Sequence, residues 1–375
     1  MKILITGCAG FIGSHLAENL LLNNLFEEVI GLDNLDPYYE ISKKENNLKL
    51  LNKFPNFTFL KEDIVTTKAL EKYKPEIICH LASLAGVRNS LIYPRRYCKV
   101  NIEGMINLLE QARKYKPINF VFASSSSVYG TNQKIPFEET DKIENINSPY
   151  AASKKAMEVY AKLYHKLYDL NVIGLRFFTV YGPRGRPDMA PYKFMNAIKN
   201  DLEITKYGKG DSFRDYTYVS DIVQGIVGAI NSRKGGFEVY NLGNGNPITL
   251  NEFISTCEKV SKKKAKIKEI ENQQGDVPGT YACIKKAKND LGYNPKVKLK
   301  EGLKNVLCIE TEYYENESKK KYPKVRDYGG YSIQVTEWCI LGDCMQPECH
   351  HCYPVKECEK HELCKEEGTC DFIKI

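Results

Sequence analysis

The sequence predicts an α/β protein: a doubly wound parallel sheet with helices on both faces, a smaller C-terminal substrate lobe, and a Cys-rich C-terminal tail. Three observations carry that expectation. Short β-branched runs alternate with amphipathic helical patterns through residues 1–180. A glycine triplet, Gly7, Gly10 and Gly13, directly follows the first of those runs. Seven of the thirteen cysteines crowd between Cys339 and Cys370.

The strands are expected at Lys2–Thr6, Val29–Asp33, Phe57–Lys61, Ile77–Leu81, Asn119–Ser124 and Asn171–Phe177. Runs such as VIGL and IICHLA are continuously apolar rather than alternating, which marks strands buried on both faces. Helices are expected between them, at Gly13–Asn23, Val100–Lys114 and Ser148–Leu167 among others. From residue 181 Gly and Pro become frequent, as in YGPRGRP and LGNGNP, and a lobe over residues 181–315 is expected. Within it, Tyr216–Val219 and Asp221–Ile230 read as a strand and helix, so that residues 216–240 return to the first domain. Residues 316–375 read as a charged linker, ENESKKKYPK, and a Cys/His-rich tail.

Composition narrows the function classes. With 42% hydrophobic and 27% charged residues the chain is globular. No run approaches the ~18 apolar residues of a membrane span. The opening MKILITG runs straight into a core strand, leaving no signal peptide, so a cytoplasmic location is expected. The net charge of +7 comes from scattered lysines beside glutamates, not from basic residues interleaved with aromatics. That argues against nucleic acid and remains compatible with an anionic substrate.

The segment Gly7-Cys8-Ala9-Gly10-Phe11-Ile12-Gly13 lies between the first strand and first helix, as a dinucleotide site requires. The first glycine permits a tight turn, the second admits a pyrophosphate, and the third lets helix and strand pack closely. The helix N-terminus then offers free N–H groups to phosphate. Asp33 closes the second strand, where a carboxylate accepts ribose hydroxyls and repels a 2′-phosphate, favouring NAD. Asp63-Ile64 follows the third strand, where an adenine-contacting pair belongs.

Tyr150 and Lys154 are four residues apart and share a helix face. A phenol is a poor base at neutral pH, and a neighbouring ammonium together with an oxidised nicotinamide would favour the phenolate. Ser124–Ser127 end a preceding strand, where hydroxyls can bridge substrate to phenol. His80, in a buried strand run, reads as a core histidine and His165 as solvent-facing. Tyr38-Tyr39 reads as packing.

The blocks GCAGFIGSHL, HLASLAGVRNSLIYP, ASSSSVYG, SPYAASKKAMEVYA, LRFFTVYGPRGRPDMA and SFRDYTYVSD cover roughly residues 1–310 in order. They resemble the extended short-chain dehydrogenase/reductase family, with its Rossmann fold, and within it the nucleotide-sugar epimerases. LDNLDPYY and RFFTVYGPRGRPDMA resemble the UDP-glucuronate 4-epimerases in particular. The resemblance implies that Asn34, Leu81 and Ala82 join the cofactor contacts, and that Ser125 and Ser126 surround the sugar C4 hydroxyl. It makes Tyr150 the base and places Lys154 on the nicotinamide ribose. It also implies that Thr179 and Arg186 touch the sugar, with Arg186 the partner of its carboxylate. Arg88 would face the substrate, and Arg214 and Asp276 would hold the diphosphate and uridine ribose. Related dehydratases carry an Asp-Glu pair before VYG, and here Ser126 and Ser127 stand there, which disfavours elimination.

The expected reaction is reversible C4 epimerisation of a UDP-sugar, UDP-glucuronate first, through a 4-keto intermediate with retained NAD. UDP-glucose or UDP-N-acetylglucosamine is the alternative substrate. A non-catalytic NAD or nucleotide-sugar sensor is the alternative class. The resemblance implies a homodimer through the helices at Val100–Lys114 and Ser148–Leu167. In the tail, Cys349 and Cys352 have zinc-knuckle spacing, so zinc, disulfides and an unstructured appendage all stay open there.

Overall fold

In a computed structural model, residues 1–271 and 279–306 are described in full, with the backbone of residues 326–328 and 331–333. The chain divides into two units, Met1–Glu310 and Thr311–Ile375. In the second, Arg326–Tyr328 pairs antiparallel with Tyr331–Ile333. The candidate zinc ligands Cys349 and Cys352 lie outside the described residues.

In the first unit the strands are β1 (Lys2–Thr6), β2 (Glu28–Leu32), β3 (Phe57–Leu60), β4 (Ile77–His80), β5 (Asn119–Ser125) and β6 (Val172–Phe177). They continue with β7 (Thr179–Tyr181), β8 (Glu203–Tyr207), β9 (Phe213–Arg214), β10 (Tyr216–Tyr218), β11 (Phe237–Leu242), β12 (Ile248–Thr249) and β13 (Lys266–Ile270). The helices are α1 (Phe11–Leu22), α2 (Ile41–Leu51), α3 (Ala69–Tyr73), α4 (Val87–Ile92), α5 (Pro94–Tyr97) and α6 (Gly104–Tyr115). After them come α7 (Pro149–Tyr168), α8 (Ala190–Lys199), α9 (Val219–Ile230), α10 (Leu250–Ser261) and α11 (Lys285–Leu291).

Seven strands form one sheet in the order β11-β6-β5-β4-β1-β2-β3. All its pairings are parallel. Side chains alternate across it, because successive strand residues point to opposite faces. Ile3, Ile5, Val29, Ile77, Val121 and Ile173 enter one core, which also takes Leu16 and Leu20 of α1 and Ile222 and Ile226 of α9. Leu4, Ile30, Ile78, Phe120 and Phe122 enter the other, with Met105 and Leu108 of α6 and Met157 of α7. Continuous apolar runs were required because both faces are buried. The six strands expected from the sequence lie within one residue of the observed ends.

A third core builds the lobe. Phe194 and Met195 of α8, Ile204 of β8, Tyr216 and Tyr218 of β10, and Phe253 of α10 pack there. Phe11 and Tyr181 also belong to it, so the two layers are continuous.

Two expectations need correction. The strand expected at Tyr216–Val219 does not enter the main sheet. It ends at Tyr218 and pairs with β7, Thr217 opposite Val180, because both tyrosines anchor in the lobe core. The strand that completes the sheet is β11, registered on β6 with Tyr240 opposite Leu175. The helix expected from Val100 begins instead as a π-helical turn, Cys98–Glu103, before α6. Inside that wide turn the buried Asn101 bonds the Leu84 backbone in both directions and the Ser153 hydroxyl. Among the described residues no helix is long and apolar enough to cross a membrane.

The chain leaves β1 toward β2 and β3, then re-enters on the other side at β4. Where strand order reverses like this, a crevice opens beyond the carboxyl ends of the flanking strands.

Candidate active site

A cavity of about 820 Å³ occupies that crevice. Its floor is the turn from β1 into α1. Gly7 has φ +75°, and a side chain there would lie 2.8 Å from the Ala82 nitrogen. A side chain on Gly13 would lie 2.1 Å from the Gly7 carbonyl. The turn is therefore closed around backbone alone. No side chain caps the α1 N-terminus, and Gly10, Phe11 and Ile12 line the cavity beside it. An uncapped helix start facing a cavity suits an anion.

Asp33, at the end of β2, is buried and lines the same cavity. Its carboxylate accepts the Ala9 N–H (3.1 Å) and the Leu35 N–H (2.8 Å). The buried Lys44 ammonium stands 4.0 Å away. Burial pushes the Asp33 carboxyl up, and Lys44 opposes that. Asn34 donates to Asp63 at 3.0 Å. Asn34 and Ile64 face the cavity, whereas Asp63 is turned to Asn34 and the Val65 N–H. Leu81 and Ala82 form the wall above Gly7.

The far end holds the catalytic candidates. Ser148 caps α7, its hydroxyl accepting the Ala151 N–H, so the helix begins with Tyr150 already facing the cleft. Lys154, one turn on, is 1% exposed and donates to Ser83 Oγ (2.9 Å) and the Ala123 carbonyl (2.7 Å). Its Nζ is 6.0 Å from the Tyr150 ring centre. Burial lowers the Lys154 pKa to about 7, against an upward pull from Glu158. Burial also raises the Tyr150 phenol, opposed by a hydrogen bond with Ser125 and by the charge of Arg186. Arg186 thus joins Lys154, whose Nζ stands over the ring, as a cation beside the phenol. Lys154 also ties the loop after β4 to β5 through these bonds.

Ser125 and Ser126 line the cavity where β5 ends. The residue before them, Ser124, also borders the cavity, and its hydroxyl donates to the buried Glu158 at 2.6 Å. Glu158 also takes two bonds of 2.9 Å from Arg176 on β6. Arg176 in turn donates to the Tyr129 hydroxyl, which donates to Asn241 on β11. The chain of bonds is buried throughout.

Thr179, Arg186, Arg214 and Arg88 all reach the cavity wall. Arg88 stacks over the Tyr207 ring at 4.9 Å, and Arg214 donates to the Phe213 carbonyl at 2.8 Å. Asp276 lies outside the described residues. Arg186 is engaged within the chain. It donates through Nε (3.0 Å) and a terminal nitrogen (2.6 Å) to the Asp188 carboxylate, and to the Tyr38 hydroxyl at 3.1 Å.

Tyr38 packs against the Leu84–Tyr97–Tyr150 cluster, as expected, and also lines the site, 148 residues from Arg186 in sequence. Tyr39 packs against Lys44 and lines the cavity as well. His80 is a core residue, bonded through Nδ1 to Thr6 at 2.7 Å, and its Nε2 has no partner among the described residues. His165 is half-buried, with Nδ1 on the Leu170 carbonyl, rather than solvent-facing. Sequence reasoning missed Tyr38, Lys44, Ser83, Asn101 and Asp188. Of these only Asp188 carried a usable signal, standing two residues from an arginine already singled out.

Comparisons bear on this geometry. The family profile described as GDP-mannose 4,6 dehydratase matches residues 4–306. The probable UDP-glucuronate 4-epimerase of Rhizobium meliloti is 39% identical over 347 residues, covering 87% of this chain and 100% of the relative. The structure of UDP-glucuronic acid 4-epimerase from Bacillus cereus, in complex with UDP-glucuronic acid and NAD, is similar with a TM-score of 0.80. It is 35% identical and covers 84% of this chain and 100% of that one. UDP-glucose 4-epimerase from Thermotoga maritima, with UDP-glucose, has a TM-score of 0.76 at 32% identity, covering 84% and 100%.

Proposed function

Because the chain belongs to the extended short-chain dehydrogenase/reductase family, in the group matched by the GDP-mannose 4,6 dehydratase profile, we propose that it is an NAD-dependent UDP-sugar 4-epimerase that interconverts UDP-glucuronate and UDP-galacturonate. The observation that carries the reading is that a base, its hydroxyl partner and a guanidinium converge on one wall of the dinucleotide cleft. Tyr150 is bonded to Ser125, and Arg186 is near enough to bias the phenol.

The cleft fits NAD. The glycine turn closes around backbone, the α1 N-terminus is uncapped, and Asp33 presents a carboxylate beyond β2. When bound, NAD supplies the acceptor that takes hydrogen from sugar C4 and gives it back, with no net redox change. The turn at Gly7, Gly10 and Gly13 would hold the pyrophosphate, Asp33 the adenosine ribose, and Lys154 the nicotinamide ribose.

Tyr150 takes the C4 hydroxyl proton and returns it to the inverted alcohol. Ser125 and Ser126 orient that hydroxyl, with Ser125 linking it to the phenol. Thr179 and Arg88 border the sugar, and Arg214 meets the diphosphate. Arg186 holds the C6 carboxylate, whose planar pair of oxygens matches a guanidinium fork. A neutral hexose gains nothing from that fork.

Offering the purified protein UDP-glucuronate, UDP-glucose and UDP-N-acetylglucosamine, with products identified by NMR, tests this directly. UDP-galacturonate is the expected product, and exclusive turnover of a neutral sugar overturns the substrate assignment. Arg186→Met should cut kcat/KM for UDP-glucuronate by about a hundredfold, the scale for deleting one partner of a desolvated charge pair. A second reading, a neutral UDP-sugar, is favoured by one observation: Asp188 already neutralises Arg186.

A further inference from the structure

The pairing of Arg186 with Asp188 raises a question of occupancy. One edge of the guanidinium fork, Nε with a terminal nitrogen, is filled by a carboxylate of the chain itself, through two bonds of 3.0 and 2.6 Å. The same terminal nitrogen also donates to the Tyr38 hydroxyl. Arg186 is the enclosed member, with 17% of its side chain exposed, and Asp188 the open one, at 42%. Asp188 lines the same cavity. Two carboxylates on one guanidinium edge repel each other, so an incoming acid and Asp188 compete for the same place. The half-exposed partner is the one that water can receive.

We propose that Asp188 is a resident stand-in for the substrate carboxylate, a specificity-determining residue exchanged for it when an acidic UDP-sugar binds. The inference rests on the reading of Arg186 given above. The exchange is reversible in place. When the 4-keto sugar turns over in the pocket its carboxylate must leave the fork, and Asp188 takes the guanidinium back. The cation is then never left desolvated and unpaired, the state that would otherwise hold the sugar in one orientation. Tyr38 keeps the guanidinium aimed in both states. A neutral sugar has no group to displace Asp188, so its binding does not depend on the exchange.

The test compares wild type, Asp188→Asn and Arg186→Met as NAD-loaded proteins. Calorimetry measures affinity for UDP-glucuronate, UDP-glucose and UDP, and steady-state assays separate KM from kcat. Asp188→Asn should tighten UDP-glucuronate by about three- to tenfold, the range for releasing a partly exposed ion pair. It should lower kcat and leave UDP-glucose and UDP unchanged. Weakened or unaltered UDP-glucuronate binding, or an equal shift for all three ligands, overturns the exchange.

Asp188→Glu keeps a carboxylate and should restore wild-type KM, which a general loss of loop order would not allow. If Arg186→Met weakens UDP-glucuronate while Asp188→Asn does nothing, the exchange alone falls. If Arg186→Met leaves UDP-glucuronate binding intact, the substrate reading falls as well.

Discussion

The dinucleotide end of the cleft and its sugar end are built from different materials. The first is backbone: a turn at Gly7 with φ +75°, a helix start without a side-chain cap, and contacts too close for any Cβ. The second is side chains brought from separate segments: Tyr38, Ser125, Tyr150, Arg186 and Asp188. Backbone geometry is specific to shape and indifferent to what is joined beyond the phosphates. Side chains on loops can be exchanged one at a time, so substrate preference can drift while the cofactor site stays fixed.

That contrast can be broken most severely at Gly13. A methyl there meets the Gly7 carbonyl at 2.1 Å, and backbone on both sides cannot yield. Gly13→Ala should abolish NAD binding, read by fluorescence titration, and lower the Tm as well. Retained NAD affinity would show that the turn tolerates what its geometry forbids. Next in size is Tyr150→Phe. Turnover should fall by about 10³-fold, the scale of a lost general base. NAD and UDP-sugar affinity and the Tm should stay near wild type, since only one hydroxyl is removed.

The smallest effect sharpens the boundary between the two ends, where Lys154 stands. Burial takes its pKa from 10.5 to about 7 in the folded protein. Between those values the unfolded chain carries a proton that the folded one has lost, so raising the pH favours folding. Wild type should therefore gain stability relative to Lys154→Met from pH 7 to pH 10, measured as the difference in Tm. Parallel curves would mean that the ammonium is not desolvated.

Legibility in the sequence followed the same division. The glycine turn, Asp33, the six strands, and the Tyr150–Lys154 pair rest on local spacing, which sequence displays. The strand β11 was missed because FEVYNL, at a sheet edge, mixes polar residues into its run. Tyr38 was missed because its partner is 148 residues away and a tyrosine pair suggests packing first. The influence of Arg186 on the phenol was missed for the same reason. Spacing along a helix pointed to Lys154, while the fold brings a second cation to the phenol from across the cleft.

The buried pair Glu158–Arg176 sits directly behind the chemistry. It ties α7, which carries Tyr150 and Lys154, to β6, and through Ser124 to the strand end carrying Ser125. Losing either member alone strands a charge in the interior at a cost of about 3–5 kcal/mol. Descendants of this sequence can therefore abandon that brace only by replacing acid and base together, and single-step mutational routes through either residue are closed.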